Sequence, residues 1–141
     1  MKSGGTSSKQ LEGKMERRFL DLSGKYISHG LDCHDGYFEK EVHFKLDAQH
    51  SDFEKGYITY HYHSNLPDGT VLYRGSMVAS GNHLSLAFKS EAPGQNDDGI
   101  ACGVVMFDPN NDGTVQTVLH FFYYQAQYQG GGNGMVTCVK A

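Results

Sequence analysis

From Gly24 onward apolar and polar residues alternate one by one. A period of two belongs to strands, because successive side chains of an extended chain point to opposite faces. Phe38, Val42, Phe44 and Leu46 share one face of such a strand, with Glu39, Glu41, His43 and Lys45 on the other. Ile58, Tyr60 and Tyr62 alternate with Thr59, His61 and His63; Val71, Tyr73 and Met77 with Arg74 and Ser76; Leu84, Leu86 and Phe88 with Ser85, Ala87 and Lys89. Residues 100–107 are apolar on both faces. A long strand follows over 114–128, carrying Val115, Leu119, Phe121 and Tyr123, and a last one over 134–140.

Between these runs stand residues that preset φ or tolerate positive φ: Pro67-Asp68-Gly69, Ser80-Gly81-Asn82, Asp97-Asp98-Gly99 and Asn110-Asn111-Asp112-Gly113. Counting the segment that opens at Gly24-Lys25-Tyr26, about eight strands follow one another through short hairpins. No helix is long enough for a parallel crossover. The expected fold is therefore all-β, an antiparallel up-and-down meander that protects its edges most simply by closing into a barrel. Residues 1–8 are rich in glycine, serine and threonine and read as a disordered leader. Leu11, Met15 and Phe19 recur every four residues, and Ser7 precedes Gln10 in capping-box spacing, which predicts a short helical segment over 9–21. Residues 22–141 then form a single domain.

Composition narrows the function. The 141 residues carry a net charge of −4, which argues against broad binding to nucleic acid phosphates. No apolar run approaches the length of a membrane-spanning helix. Three cysteines make an odd count without zinc-type spacing, no secretory apolar stretch is seen near the N-terminus, and reduced thiols in the cytoplasm are expected. Cys102 and Cys138 fall in apolar strands and read as core residues.

The Gly24-Lys25-Tyr26 opening of a first strand, followed by seven strands in hairpin succession, resembles the calycin group of lipocalin-like and avidin-like barrels, with Tyr26 where that group usually has tryptophan. The resemblance is architectural and covers residues 22–141. It implies a barrel that binds an apolar or small organic ligand, and carries over no ligand contacts.

Four features could carry chemistry. His61 and His63, at i and i+2, project from one strand face and could share a divalent metal, with His43 near them on the neighbouring strand. With Gly56 before, and Asp68 and Gly75 after, this run resembles the first metal motif of cupins. Against it, Ile58, Tyr60 and Tyr62 form the more apolar face, so the three histidines should point outward. Otherwise no cofactor is expected. Asp108 to Gly113 resembles the start of a calcium-binding loop, but Leu119 stands where the bidentate glutamate belongs, so a hairpin turn is the reading. Cys33-His34-Asp35 contains a nucleophile, a base and an acid whose side chains, on an extended chain, point to alternating sides. The fourth is tyrosine. Tyr60, Tyr62, Tyr73 and Tyr123, with Phe121, fall at inward positions, and their hydroxyls would make a semi-polar cavity.

Three functions fit. The first is a barrel that binds a small hydrophobic or semi-polar molecule. The second is a barrel enzyme, using metal on the histidines or acid-base chemistry by tyrosine with His120 or His83, as in a cyclase or isomerase. The third is an interaction module with a solid interior, whose outer face bears Tyr124, Tyr128, Gln125, Gln127 and Gln129 and would pair copies into a homo-oligomer.

Overall fold

The computed structural model describes residues 20–110 and 112–141. The expected leader and all but the end of the expected helical segment lie outside these residues; Leu20 and Asp21, within it, are not helical. Eight strands follow in chain order: β1 Gly24–Asp32, β2 Gly36–Asp52, β3 Tyr57–Asn65, β4 Val71–Ser80, β5 His83–Ser90, β6 Gly99–Pro109, β7 Val115–Gln125 and β8 Gly132–Lys140. Each pairs antiparallel with its chain neighbours. β8 returns to β1 from Tyr26 opposite Lys140 to Asp32 opposite Gly134, and the barrel closes without an edge. The architecture is consistent with the calycin-like one. Among the described residues no helix is long and apolar enough to cross a membrane.

The expected strands are present, several of them longer than the alternation indicates, but the one expected over 114–128 ends at Gln125, where the chain leaves the ladder for a connection with a short 3-10 turn at Tyr128–Gly130. β2 runs for 17 residues because its far end, beyond a register shift between Asp47 and Asp52, is still held to β3. There the Thr59 hydroxyl donates to the His50 carbonyl at 2.6 Å, and the Thr59 N–H donates to Ser51 Oγ at 2.8 Å. Turn chemistry closes the hairpins as expected. Gly69, Gly81 and Gly113 take positive φ, and the Asp112 carboxylate accepts from the Thr114 N–H at 3.0 Å and its hydroxyl at 2.6 Å, closing the 110–114 hairpin turn.

Connections 33–35, 66–70, 91–98 and 126–131 gather at one end of the barrel, and the tight turns at 53–56, 81–82 and 110–114 at the other. The second end is packed solid. Tyr26, Tyr60, Met77, Leu84 and Leu119 are fully buried there, and Tyr26 meets Phe44 edge to face with centroids 5.5 Å apart. Leu22, buried just ahead of β1, plugs this end: its N–H donates to the Tyr60 hydroxyl at 3.1 Å, and its carbonyl accepts from the Tyr26 hydroxyl at 2.8 Å. Two phenols thus satisfy both backbone polar groups of a residue that no ladder reaches. Burial pushes the Tyr60 phenol up to about 12, so it stays protonated.

This plug predicts a specific loss. Tyr60→Phe leaves the buried Leu22 N–H without its partner and should cost about 1–3 kcal/mol, whereas Leu22→Ala removes apolar volume and should cost about 2–5 kcal/mol. Urea denaturation of both variants measures this, and an unchanged midpoint for either would show that Leu22 does not seal the barrel.

Candidate functional site

Opposite the plug, the interior is hollow. A cavity of about 190 Å³ opens toward the 33–35 and 126–131 connections. Inward positions of every strand reach it. β2 contributes Phe38, Lys40, Val42 and Phe44; β5 contributes Leu86 and Phe88; Tyr62, Tyr73, Ala101, Phe121 and Val136 complete most of the wall. Small residues make the space. A Cβ on Gly30 would collide with the Phe38 ring lying across it, and one on Gly134 would collide with the Tyr123 hydroxyl, so both glycines let an aromatic ring fold against the wall.

The deep part of the cavity is aromatic and aliphatic; its rim is charged. The Tyr123 hydroxyl donates to Asp32 Oδ2 at 2.5 Å, Tyr73 donates to Asp97 Oδ2 at 2.8 Å, and Tyr128 donates to Asp35. Gln125 Nε2 donates to the Asp97 carbonyl at 2.7 Å and to the Tyr73 hydroxyl at 3.2 Å. Burial and then the adjacent carboxylates push Tyr73 and Tyr123 well above the ordinary phenol range. All three phenols are therefore hydrogen-bond donors. Asp32 is buried, which works against its ionisation, but the Tyr123 hydroxyl and the backbone N–H groups of Asp35 and His34 outweigh burial and hold the carboxyl below its ordinary 3.8. Asp97 is also buried, and its Oδ1 has no hydrogen-bond partner among the described residues.

Lys40 is the one cation on this wall. Its Nζ sits 4.8 Å from the Phe38 centroid and 5.1 Å from that of Tyr73, and it makes no ion pair or hydrogen bond among the described residues. Burial lowers its pKa, against the opposing pull of Asp32, Asp97 and Asp35. An ammonium group thus hangs inside the cavity with its donors uncommitted.

The expected site residues separate into two groups. Tyr62, Tyr73, Phe121 and Tyr123 line the cavity, while Tyr60 points inward but lies beneath it, in the plug. Burial raises Tyr62 to about 12. His43, His61 and His63 lie on the outer wall. His43 stands opposite His63, their rings stacked at 4.4 Å, and His61 Nε2 is 3.4 Å from Asp47 Oδ2. Asp68 accepts from the Thr70 N–H within its own turn. Among the described residues no group of three or more histidine, cysteine or carboxylate side chains is placed to hold a metal ion.

Other expectations need correction. Cys138 is buried, its thiol pushed by burial up to about 12, but Cys102 is exposed, because β6 turns Ala101, Gly103 and Val105 inward instead. His120 bonds Thr137 Oγ1 at 3.0 Å on the outer wall and His83 is exposed, so carboxylates, not histidines, partner the inner tyrosines. Gln125 and Tyr128 do not belong to an outer face with Tyr124: Gln125 is buried, and both line the cavity. Cys33, His34 and Asp35 turn to separate partners, the Asn133 N–H, the Gly131 carbonyl and the Tyr128 hydroxyl. Missed from the sequence were Lys40, Asp32, Asp97 and Gln125. Parity marks three of them, since Lys40 shares its face with Phe38 and Val42, Asp32 with Tyr26 and Ser28, and Gln125 with Phe121 and Tyr123.

These features define a class: a closed, eight-stranded, up-and-down barrel with one sealed end and an acidic, tyrosine-rimmed cavity at the other. The chain matches no protein-family model, no curated protein and no solved structure.

The rim yields a pH prediction. Asp32 is held below its unfolded value, so its ionisation stabilises the fold above the carboxylate range, and this contribution is lost as pH falls through it. Tyr123→Phe removes the strongest of the bonds that lower Asp32. The variant should be less stable by about 1–2 kcal/mol near pH 7, and the difference should narrow toward about pH 3. Urea titrations across that range test this, and a constant difference would place the Tyr123 effect elsewhere.

Proposed function

We propose that this protein is a binding barrel whose ligand is a small organic molecule with an apolar body and a polar group, held in the cavity at the open end. The observation that carries this reading is the 190 Å³ space itself, preformed beside a densely packed lower half. An apolar cavity of about 150 Å³ holds a benzene molecule, so the volume suits a single ring or a short branched chain. An unmet polar group supports the polar half of the ligand. Lys40 Nζ lies against two ring faces and has no hydrogen-bond acceptor among the described residues. A ligand that offers it an acceptor would relieve it.

Filling the cavity tests the reading. Ala101 lines it and is small, so Ala101→Leu places three more carbons in the ligand's space without disturbing the ladder. Titration of benzyl alcohol, followed by ligand-observed NMR, should show binding by the parent protein and a loss of about tenfold or more in the variant. Thermal unfolding should remain cooperative. Equal binding by both proteins would place the ligand outside the barrel and overturn the reading.

A further inference from the structure

We propose that Lys40 captures the carbonyl group of a small apolar aldehyde as a protonated Schiff base inside the barrel. The inference rests on the binding reading above and adds the chemical class of the ligand.

Three observations carry it. Position comes first: Nζ lies within the cavity, against the faces of Phe38 and Tyr73, where an aldehyde with a ring-sized body would place its carbonyl once the body sat deeper among Phe44, Phe88 and Phe121. Freedom comes second. A lysine tied into an ion pair cannot present its lone pair, but no carboxylate among the described residues pairs with Lys40. Charge comes third. Asp32 and Asp35 line the cavity with one ammonium, and Asp97 adds to their field on it, so the rim repels an anionic ligand; a neutral carbonyl compound escapes that repulsion, and the cation it forms on Lys40 keeps these carboxylates as counter-charges. Desolvation of the amine further favours its neutral, nucleophilic form.

The step balances without a co-reactant. The ammonium gives a proton to solvent at the open mouth, and the freed nitrogen lone pair forms a bond to the carbonyl carbon while the C=O π pair moves to oxygen. That oxygen takes one proton from nitrogen and one from solvent, and leaves as water as the C=N bond forms. The net change is ammonium plus aldehyde to iminium plus water, with no electron gained or lost.

Benzaldehyde is the probe, with benzyl alcohol as the isostere without a carbonyl and benzoate as the anionic one. The full chain is incubated with benzaldehyde at neutral pH, reduced with cyanoborohydride, and mapped by peptide mass spectrometry. A benzyl group on Lys40, formed about tenfold faster than on Lys25, Lys45, Lys55, Lys89 or Lys140 and prevented by excess benzyl alcohol, is the expected result. Lys40→Arg, which keeps the charge but cannot form the imine, should lose the adduct while labelling of the other lysines is unchanged. Labelling spread evenly over the lysines overturns the proposal. So does benzyl alcohol binding without any Lys40 adduct, which leaves the binding reading standing, or benzoate binding more tightly than benzyl alcohol without an adduct, which makes Lys40 an anion contact. If neither benzyl alcohol nor benzaldehyde enters the cavity, the binding reading fails with it.

Discussion

Everything in this molecule depends on the pairing of β8 with β1. Seven hairpins alone make a sheet with two edges, each a row of unpaired N–H and C=O groups; the register from Tyr26 opposite Lys140 to Asp32 opposite Gly134 removes both. Closure also assigns the faces. Once the sheet is a barrel, each strand has one side toward a common interior, and a residue's parity decides whether it meets Tyr26 and Phe44 or water.

Closure leaves two ends, and the chain treats them differently. At one, the apolar column of Tyr26, Tyr60, Met77 and Leu84 meets Leu22, whose peptide groups are satisfied by two phenols. At the other, the connections bring Asp35 and Tyr128 to the mouth of the open cavity. Tyrosine serves both ends by the same property, a large apolar body with one donor at its tip. Below, the donor meets a backbone carbonyl; above, it meets a carboxylate. The outer wall has a different character: register sets Tyr37 opposite Leu31, Leu31 opposite Met135, and Met135 opposite Phe122, an exposed apolar row across four strands.

The fold was legible in the sequence because a period of two and turn residues are local signals, and eight such signals in succession leave few topologies. The inward face of β3 was legible for the same reason: Tyr60 and Tyr62 share parity with Ile58. Residues 100–107 were not, since both faces are apolar and only the barrel distinguishes Ala101 from Cys102. The rim was illegible for another reason. Asp97 and Tyr128 lie in connections, where no periodicity exists, and each acquires its role from a residue distant in sequence, Tyr73 for one and Asp35 for the other. Lys40 was legible by parity and passed over, because a charge on an apolar face reads as a break in the pattern until the space around it is known.

That break is the informative residue. Exposed lysines such as Lys45 on the outer face of the same strand keep their ammonium in water at little cost. Lys40 instead carries its charge into a cavity where burial lowers its basicity and aromatic faces replace solvent. Ring faces recover part of the lost hydration, roughly 0.5–2 kcal/mol, which is less than the several kcal/mol that removing an ion from water costs. Three carboxylates nearby, all beyond ion-pair distance, supply attraction without occupying the donors. An interior chosen for stability alone would place an apolar side chain between Phe38 and Val42. A lysine there makes sense if something enters the barrel to meet it.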